Sequence, residues 1–261
     1  MATTKKVTRV GGTDSAPEKV IRTFVPTPES KGRATQLRMF AVLLWILGIA
    51  AEIGAIVVLI KGASEMLTST WIWLIGLMVV DLILVIIGSQ LWKKANRLDP
   101  ASKKEPVKFF IQSQLGVIIS VIAFLPLVIL IFTNKDLDGK SKGILGGIAA
   151  LFLVIAGLAS ADFNPPSVEE YTEQTNRVEW LKDNNEVFWT KSGTVYHLYD
   201  DCSHINSNRT DEIFSGTVAK ARELKNITNL CKTCEKRAIK ERGLNEADYK
   251  PAATPVESAE E

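Results

Sequence analysis

Cys231 and Cys234 are separated by Lys232 and Thr233. That spacing lets two sulfurs point at one ion while backbone amides of the turn stabilise the thiolates, as in a zinc knuckle. A closed zinc site takes four ligands in a tetrahedron. The chain offers one further cysteine, Cys202, and two histidines, His197 and His204. His197 ends a β-rich stretch, and Cys202 follows five residues on, after a turn carrying Asp200 and Asp201. His204 stands two residues from Cys202, a tighter and less common chelate. The expected ligands are therefore His197, Cys202, Cys231 and Cys234 around Zn²⁺, with His204 in reserve. Four strong donors leave no open coordination position, so the expected role is structural and no residue is assigned to catalysis. His204, Asp200 or Asp201 could act as a base only if a ligand left.

Two acids stand out for a different reason. Glu52 and Asp81 fall near the middle of long apolar runs. A charge at the centre of a membrane costs at least ~2.5 kcal/mol and marks function by default. A short loop joins the two runs, so they should be antiparallel neighbours with both carboxyls at similar depth. Such a pair either holds the bundle together as hydrogen-bonded carboxyls or relays protons or cations. No basic residue lies inside any of the runs to neutralise it.

The elements that must carry these residues follow from composition. Of 261 residues, 46% are hydrophobic and 23% charged, with a net charge of +2 and a mean hydropathy of +0.11. The apolar residues concentrate in four runs, about Met39 to Ile60, Trp71 to Leu91, Phe109 to Phe132 and Gly143 to Ala161. Each approaches the roughly 20 residues that span a bilayer as a helix. A purely soluble protein is excluded, and so is a transmembrane barrel, because the runs are continuous rather than alternating. Residues 1–38 are polar, carry eight Lys/Arg against three acids, and read as a disordered basic arm without a signal-peptide core. With four spans, that arm and the second loop share one side and hold 14 Lys/Arg, against four in the other two loops. Lys/Arg excess marks the cytoplasm, so both termini are expected there. Trp71 and Trp73 fall at one end of the second span and Trp92 at the other, as interfacial anchors. The cysteines then sit in a reducing compartment, which favours metal over disulfides.

Pro165 and Pro166 stop the last span, and residues 162–185 form a linker with a helix. Ser167 and Glu170 fit a capping box, and Val168, Tyr171, Thr175, Val178 and Leu181 form one apolar stripe. The stripe packs on the next domain or, as a short coiled-coil-like seam, on another subunit. Residues 186–242 form the zinc module. Val187 to Thr190 and Thr194 to Leu198 read as a hairpin around Lys191-Ser192-Gly193, with short helices over Thr217 to Leu224 and Glu235 to Arg242. Residues 243–261 read as a disordered acidic tail. The fold class is thus an all-α four-helix transmembrane domain plus a small α+β zinc-binding cytoplasmic domain. In the fourth span, Gly143 and Gly147 form a GxxxG pair that Gly146 and Ala150 extend, a sign of close helix packing. Asn134, Asp136, Asp138 and Gly139 mimic half of an EF-hand loop, but Leu145 stands where the bidentate Glu belongs, so this is read as a polar turn.

The stretches VFWTKSGTVYHLYDDC and GTVAKARELKNITNLCKTC resemble the Ada-like metal-binding domain over about 55 residues. The resemblance implies the fold and a bound metal. In the DNA-repair members the first ligand is a methyl-accepting cysteine, and His197 stands in its place here. Imidazole cannot play the thiolate's part, so that reaction is not implied. The segment from FTNKDLDGKSKGILGG to ADFNPPSVEEY looks like uncharacterised bacterial four-span proteins carrying the same tail, which implies the bacterial plasma membrane.

Residues 186–242 hold ten Lys/Arg and eight Asp/Glu. Lys232, Lys236, Arg237, Lys240 and Arg242 make one face basic, but the module lacks the domain-wide excess of a phosphate binder. Its expected partners are the bilayer and another protein or a second copy, rather than nucleic acid. The leading expectation is a non-enzymatic membrane protein that displays the zinc module for interaction, assembly or sensing. One alternative is a small proton- or ion-conducting protein gated by the module. Another is a membrane-tethered nucleic-acid binder or defence effector.

Overall fold

The computed structural model describes residues 6–10, 23–63, 68–208, 210–225 and 227–251. The chain divides into two compact units, one of residues 27–101 and 105–165, the other of residues 1–26, 102–104 and 166–261.

The first unit is a bundle of four helices: α1 (Pro28–Gly62), α2 (Thr68–Leu98), α3 (Pro106–Thr133) and α4 (Gly139–Ser160). All four are long and apolar enough to cross a membrane, which fits a membrane protein. At most a third of the most apolar stretch of each is buried inside the unit. The outward face carries Phe40, Leu43, Ile46, Ile53 and Ile60 on α1 alone. Exposure of contiguous apolar surface on this scale is stable only where the surroundings are themselves apolar. α1 packs chiefly on α2 and α3 chiefly on α4.

α1 starts at Pro28, eleven residues before the apolar run, so residues 28–38 are helix and not a disordered arm. Thr27 caps it by accepting the Ser30 amide at 3.2 Å, and Pro28 supplies the preset φ of a first helical residue. The polar turns hold because Ala34 and Leu37 pack on Ala95 and Leu98 of α2, and Arg38 pairs with Asp99 at 2.7 Å. The polar turn before α4 is a helix start. Asp138 accepts the Lys140 and Ser141 amides at 2.9 and 3.1 Å, and Asn134 accepts the Asp136 amide. The close-packed glycine of α4 is Gly146, where an added Cβ would stand 2.4 Å from the Phe132 ring. Gly143 and Gly147 meet nothing within 4 Å. Trp92 donates to the Gln112 carbonyl at 2.8 Å, so its polar edge is used within the bundle.

Among its described residues, the second unit combines helices α5 (Val168–Lys182), α6 (Val218–Lys225) and α7 (Lys232–Arg242) with five short strands. These are β1 (Lys6–Arg9), β2 (Val187–Thr190), β3 (Val195–Tyr196), β4 (Glu212–Gly216) and β5 (Asn229–Leu230). β4 is central, pairing parallel with β1 and antiparallel with β2, while β3 pairs parallel with β5. The hairpin expected between β2 and β3 is present as one antiparallel bridge, Phe188 to His197, with both bonds at 2.7 Å. Most of β2's pairing goes to β4.

Three boundaries differ from the sequence expectation. Residues 6–9 of the arm are a strand, since Val7 and Thr8 are good strand formers that need only an edge, and β4 provides it. The module begins before residue 186, because Val178 and Leu181 of α5 are fully buried in its core. The stripe on α5 therefore packs on the module. The module also ends later than residue 242. Gly243 at φ 61 closes α7, the Leu244 amide returns to the Ile239 carbonyl, and Leu244 packs on the core. Tyr249 then packs at a tilt against Trp180, ring centroids 5.1 Å apart, and donates to Glu173 at 2.7 Å. Residues 252–261 of the expected tail lie outside the described residues. Ser167 caps α5 by accepting the Glu170 amide at 3.1 Å, and the Glu170 carboxylate pairs with the buried Arg222.

Candidate metal centre

Three local structures bring four donors together. The Phe188 bridge fixes His197 at the end of the β3 segment. Cys202 opens the following turn, its carbonyl accepting the Ile205 and Asn206 amides at 3.0 and 2.7 Å. Cys231 is the N-cap of α7, tied to β3 by its amide's 2.9 Å bond to the Tyr196 carbonyl, and Cys234 lies in the first turn. The donor atoms of His197, Cys202, Cys231 and Cys234 all lie within 4.8 Å of one another, and all four residues are buried. Cys234 Sγ is 3.7 Å from His197 Nδ1. A tetrahedral zinc ion with bonds of about 2.3 Å separates its ligand atoms by about 3.8 Å. This cluster can hold a metal ion, and the sequence spacing picked out each of its members.

His204 is not among them. Its ring is exposed, 6.4 Å from that of His197 between centroids, and Nε2 lies 3.0 Å from Thr233 Oγ1. Asp201 is engaged by Arg237 at 2.7 Å, and Arg237 also bonds Glu241 and stacks on Tyr199. Arg242 pairs with Asp183. Two cations of the basic face are thus matched by carboxylates.

Electrostatics favours a cation at the cluster. Burial pushes the Cys234 thiol up to about 12, with Cys202 and Cys231 adding to the effect. Burial, with His204 a lesser cause, lowers His197 to about 4. Without a counter-charge these groups are neutral in the interior, and a divalent cation would stabilise the thiolates. The helix N-terminus adds to that effect, since both CxxC sulfurs sit where α7 presents free amides.

Sequence reasoning missed the groups around the cluster. The Leu198 amide donates to the Cys234 sulfur. Lys182, from α5, donates to the Leu198 carbonyl, lies over Phe188 at 5.0 Å, and is within electrostatic reach of Cys234. Three thiolates around a divalent ion would leave one net negative charge, which Lys182 would offset. Its only sequence signal was a position in the last turn of a helix, which any exposed lysine shares.

Glu52 and Asp81 lie in the bundle and far from this chemistry in kind. Both are buried, at 3% and 0% exposure. Glu52 Oε1 accepts the Leu127 amide at 3.1 Å. Pro126, inside α3, weakens the helical ladder beside that amide, a signal the sequence reading passed over.

No family model matches the chain, and no curated protein or solved structure matches it either.

Proposed function

We propose that the protein is an integral membrane protein that displays a structural zinc module for contact with another protein, in assembly or sensing. The observation that carries this reading is the set of four buried donors within 4.8 Å. Three sulfurs and one imidazole nitrogen suit Zn²⁺ in a closed tetrahedral site, which supports a structural and non-enzymatic role. A domain this small gains much of its folding energy from such an ion. The likeness of residues 187–234 to the Ada-like metal-binding domain supports the same reading. The excess of Lys/Arg in the arm and second loop supports both termini in the cytoplasm, and the likeness of the fourth-span region to bacterial four-span proteins points to the bacterial plasma membrane. The near balance of ten Lys/Arg and eight Asp/Glu in residues 186–242 weighs against nucleic acid, and carboxylates match Arg237 and Arg242 on its basic face.

The test is metal analysis and affinity purification of the full chain from its native membrane, as wild type and as Cys231→Ser. One zinc per chain and a partner, or a second copy, retained only by the wild type are expected. Metal-free wild-type protein, or identical partners in both samples, would remove the reading.

A further inference from the structure

The centre of the bundle contains acceptor oxygens that the fold itself does not use. Both oxygens of Asp81 and the second oxygen of Glu52 are buried with no hydrogen-bond partner among the described residues. Asp81 is 0% exposed and Glu52 3%. Gly48, one turn before Glu52 on the same face of α1, is the point where α1 comes up to Asp81. A Cβ there would stand 2.8 Å from Asp81 Oδ1, so glycine keeps that space open. Asp81 and Glu52 lie within electrostatic reach of each other, and Glu52 is held in place by the Leu127 amide. Met39–Ile60, Trp71–Leu91, Phe109–Phe132 and Gly143–Ser160 contain no other Asp or Glu and no Lys, Arg or His. A buried carboxylate pair without an internal cation needs one from outside.

We propose that Glu52 and Asp81 form an occluded cation site, held by protons and, in exchange for one of them, by a hard monovalent cation of the sodium class. Charge balance selects the class. A divalent ion would need both carboxyls ionised side by side in a buried setting, whereas a monovalent ion or a proton leaves the second carboxyl neutral. A proton needs one oxygen, and a monovalent ion brings a charge that a single carboxylate balances. Fixing Glu52 Oε1 on α3 while its other oxygen stays free lets the site join α1, α2 and α3. This inference depends on the bundle alone and stands apart from the zinc reading.

Thermal unfolding of the full-length protein in detergent tests it, in sodium, lithium, potassium or choline chloride at matched ionic strength and constant zinc. An ion that binds only the folded state raises the melting temperature. Sodium should raise it by about 2–4 °C over choline at mildly alkaline pH, with a smaller shift at mildly acidic pH, where protons compete. Equilibrium dialysis with radioactive sodium should give about one ion per chain at mildly alkaline pH. Glu52→Gln and Asp81→Asn, each shown to be helical and monodisperse, should lose the sodium increment. Equal melting temperatures in all four salts at both pH values, with no sodium retained on dialysis, would overturn the proposal using wild-type protein alone. A sodium increment that survives in both variants would also overturn it, by placing the ion elsewhere.

Discussion

Each of the four donor residues sits on a different constraint: a strand bridge, a turn, a helix cap and a first helical turn. Cys202→Ser, Cys231→Ser, Cys234→Ser and His197→Ala should each abolish stoichiometric metal, while His204→Ala should retain it, as read by metal analysis of the purified chain. Lys182 acts on the same centre from outside. Removing its charge with Lys182→Met should weaken metal affinity by about 10-fold, the scale of groups that support a ligand without touching the ion. Competition with a chromophoric chelator would measure the loss. His197 contributes one part of the pH response of the metal-stripped protein. Its folded value of about 4 lies below the ordinary 6.5. A depressed value means that unfolding takes up a proton, so the stabilisation is complete above pH 6.5 and disappears as the pH falls through 4. The urea midpoint of the stripped module should fall across that window, and His197→Gln should flatten the fall.

Among the elements, α5 changes what counts as the domain. A fragment from Asn185 to Arg242 omits Val178 and Leu181, both fully buried, together with the Tyr249 contact on Trp180. Losing two buried aliphatic side chains costs about 2–5 kcal/mol each, comparable to the whole stability of a small module. The short fragment should therefore show weak dispersion in NMR spectra even with zinc, whereas Pro166 to Pro251 should fold when loaded and unfold at a markedly lower urea midpoint once the metal is chelated. In the bundle, the glycines separate by what faces them. Gly146→Ala drives a methyl into the Phe132 ring and should lower stability by about 1–3 kcal/mol. Gly147→Ala meets open space and should be neutral or stabilise α4 by about 0.5–1 kcal/mol. Melting curves in one detergent would rank the two, and equal losses would contradict the packing.

For the whole molecule, the charge asymmetry of the loops makes the orientation testable with single cysteines in a background lacking the native three. The structure directs the choice of sites. Ser141 is buried as part of the α4 start, whereas Lys135 and Lys104 are exposed in the two loops in question. Lys135→Cys should react with an impermeant maleimide on intact cells, and Lys104→Cys only after lysis. The reverse pattern would invert the orientation and place the cluster thiols in an oxidising space, where metal is disfavoured.

The sequence by itself determined what local chemistry can specify. A run of about 20 apolar residues has one stable form in a bilayer, so four helices were legible with ends off only in their polar turns. The CxxC spacing and the scarcity of other cysteines and histidines named the donor set, because few residues could compete for it. The tertiary structure decided whatever depends on a partner distant in the chain. β1 is a strand only because β4, some 200 residues later, offers an edge, and a four-residue polar segment carries no trace of that edge. Lys182 reaches the donor cluster only because α5 places it beside Leu198. His197 and His204 have the same chemistry, and the Phe188 bridge is what turns the first toward the sulfurs while the second is left facing Thr233. Asp81 and Glu52 looked alike as buried acids. Pro126 and the Leu127 amide gave one of them a partner, and the packing of α1 on α2 left the other with none.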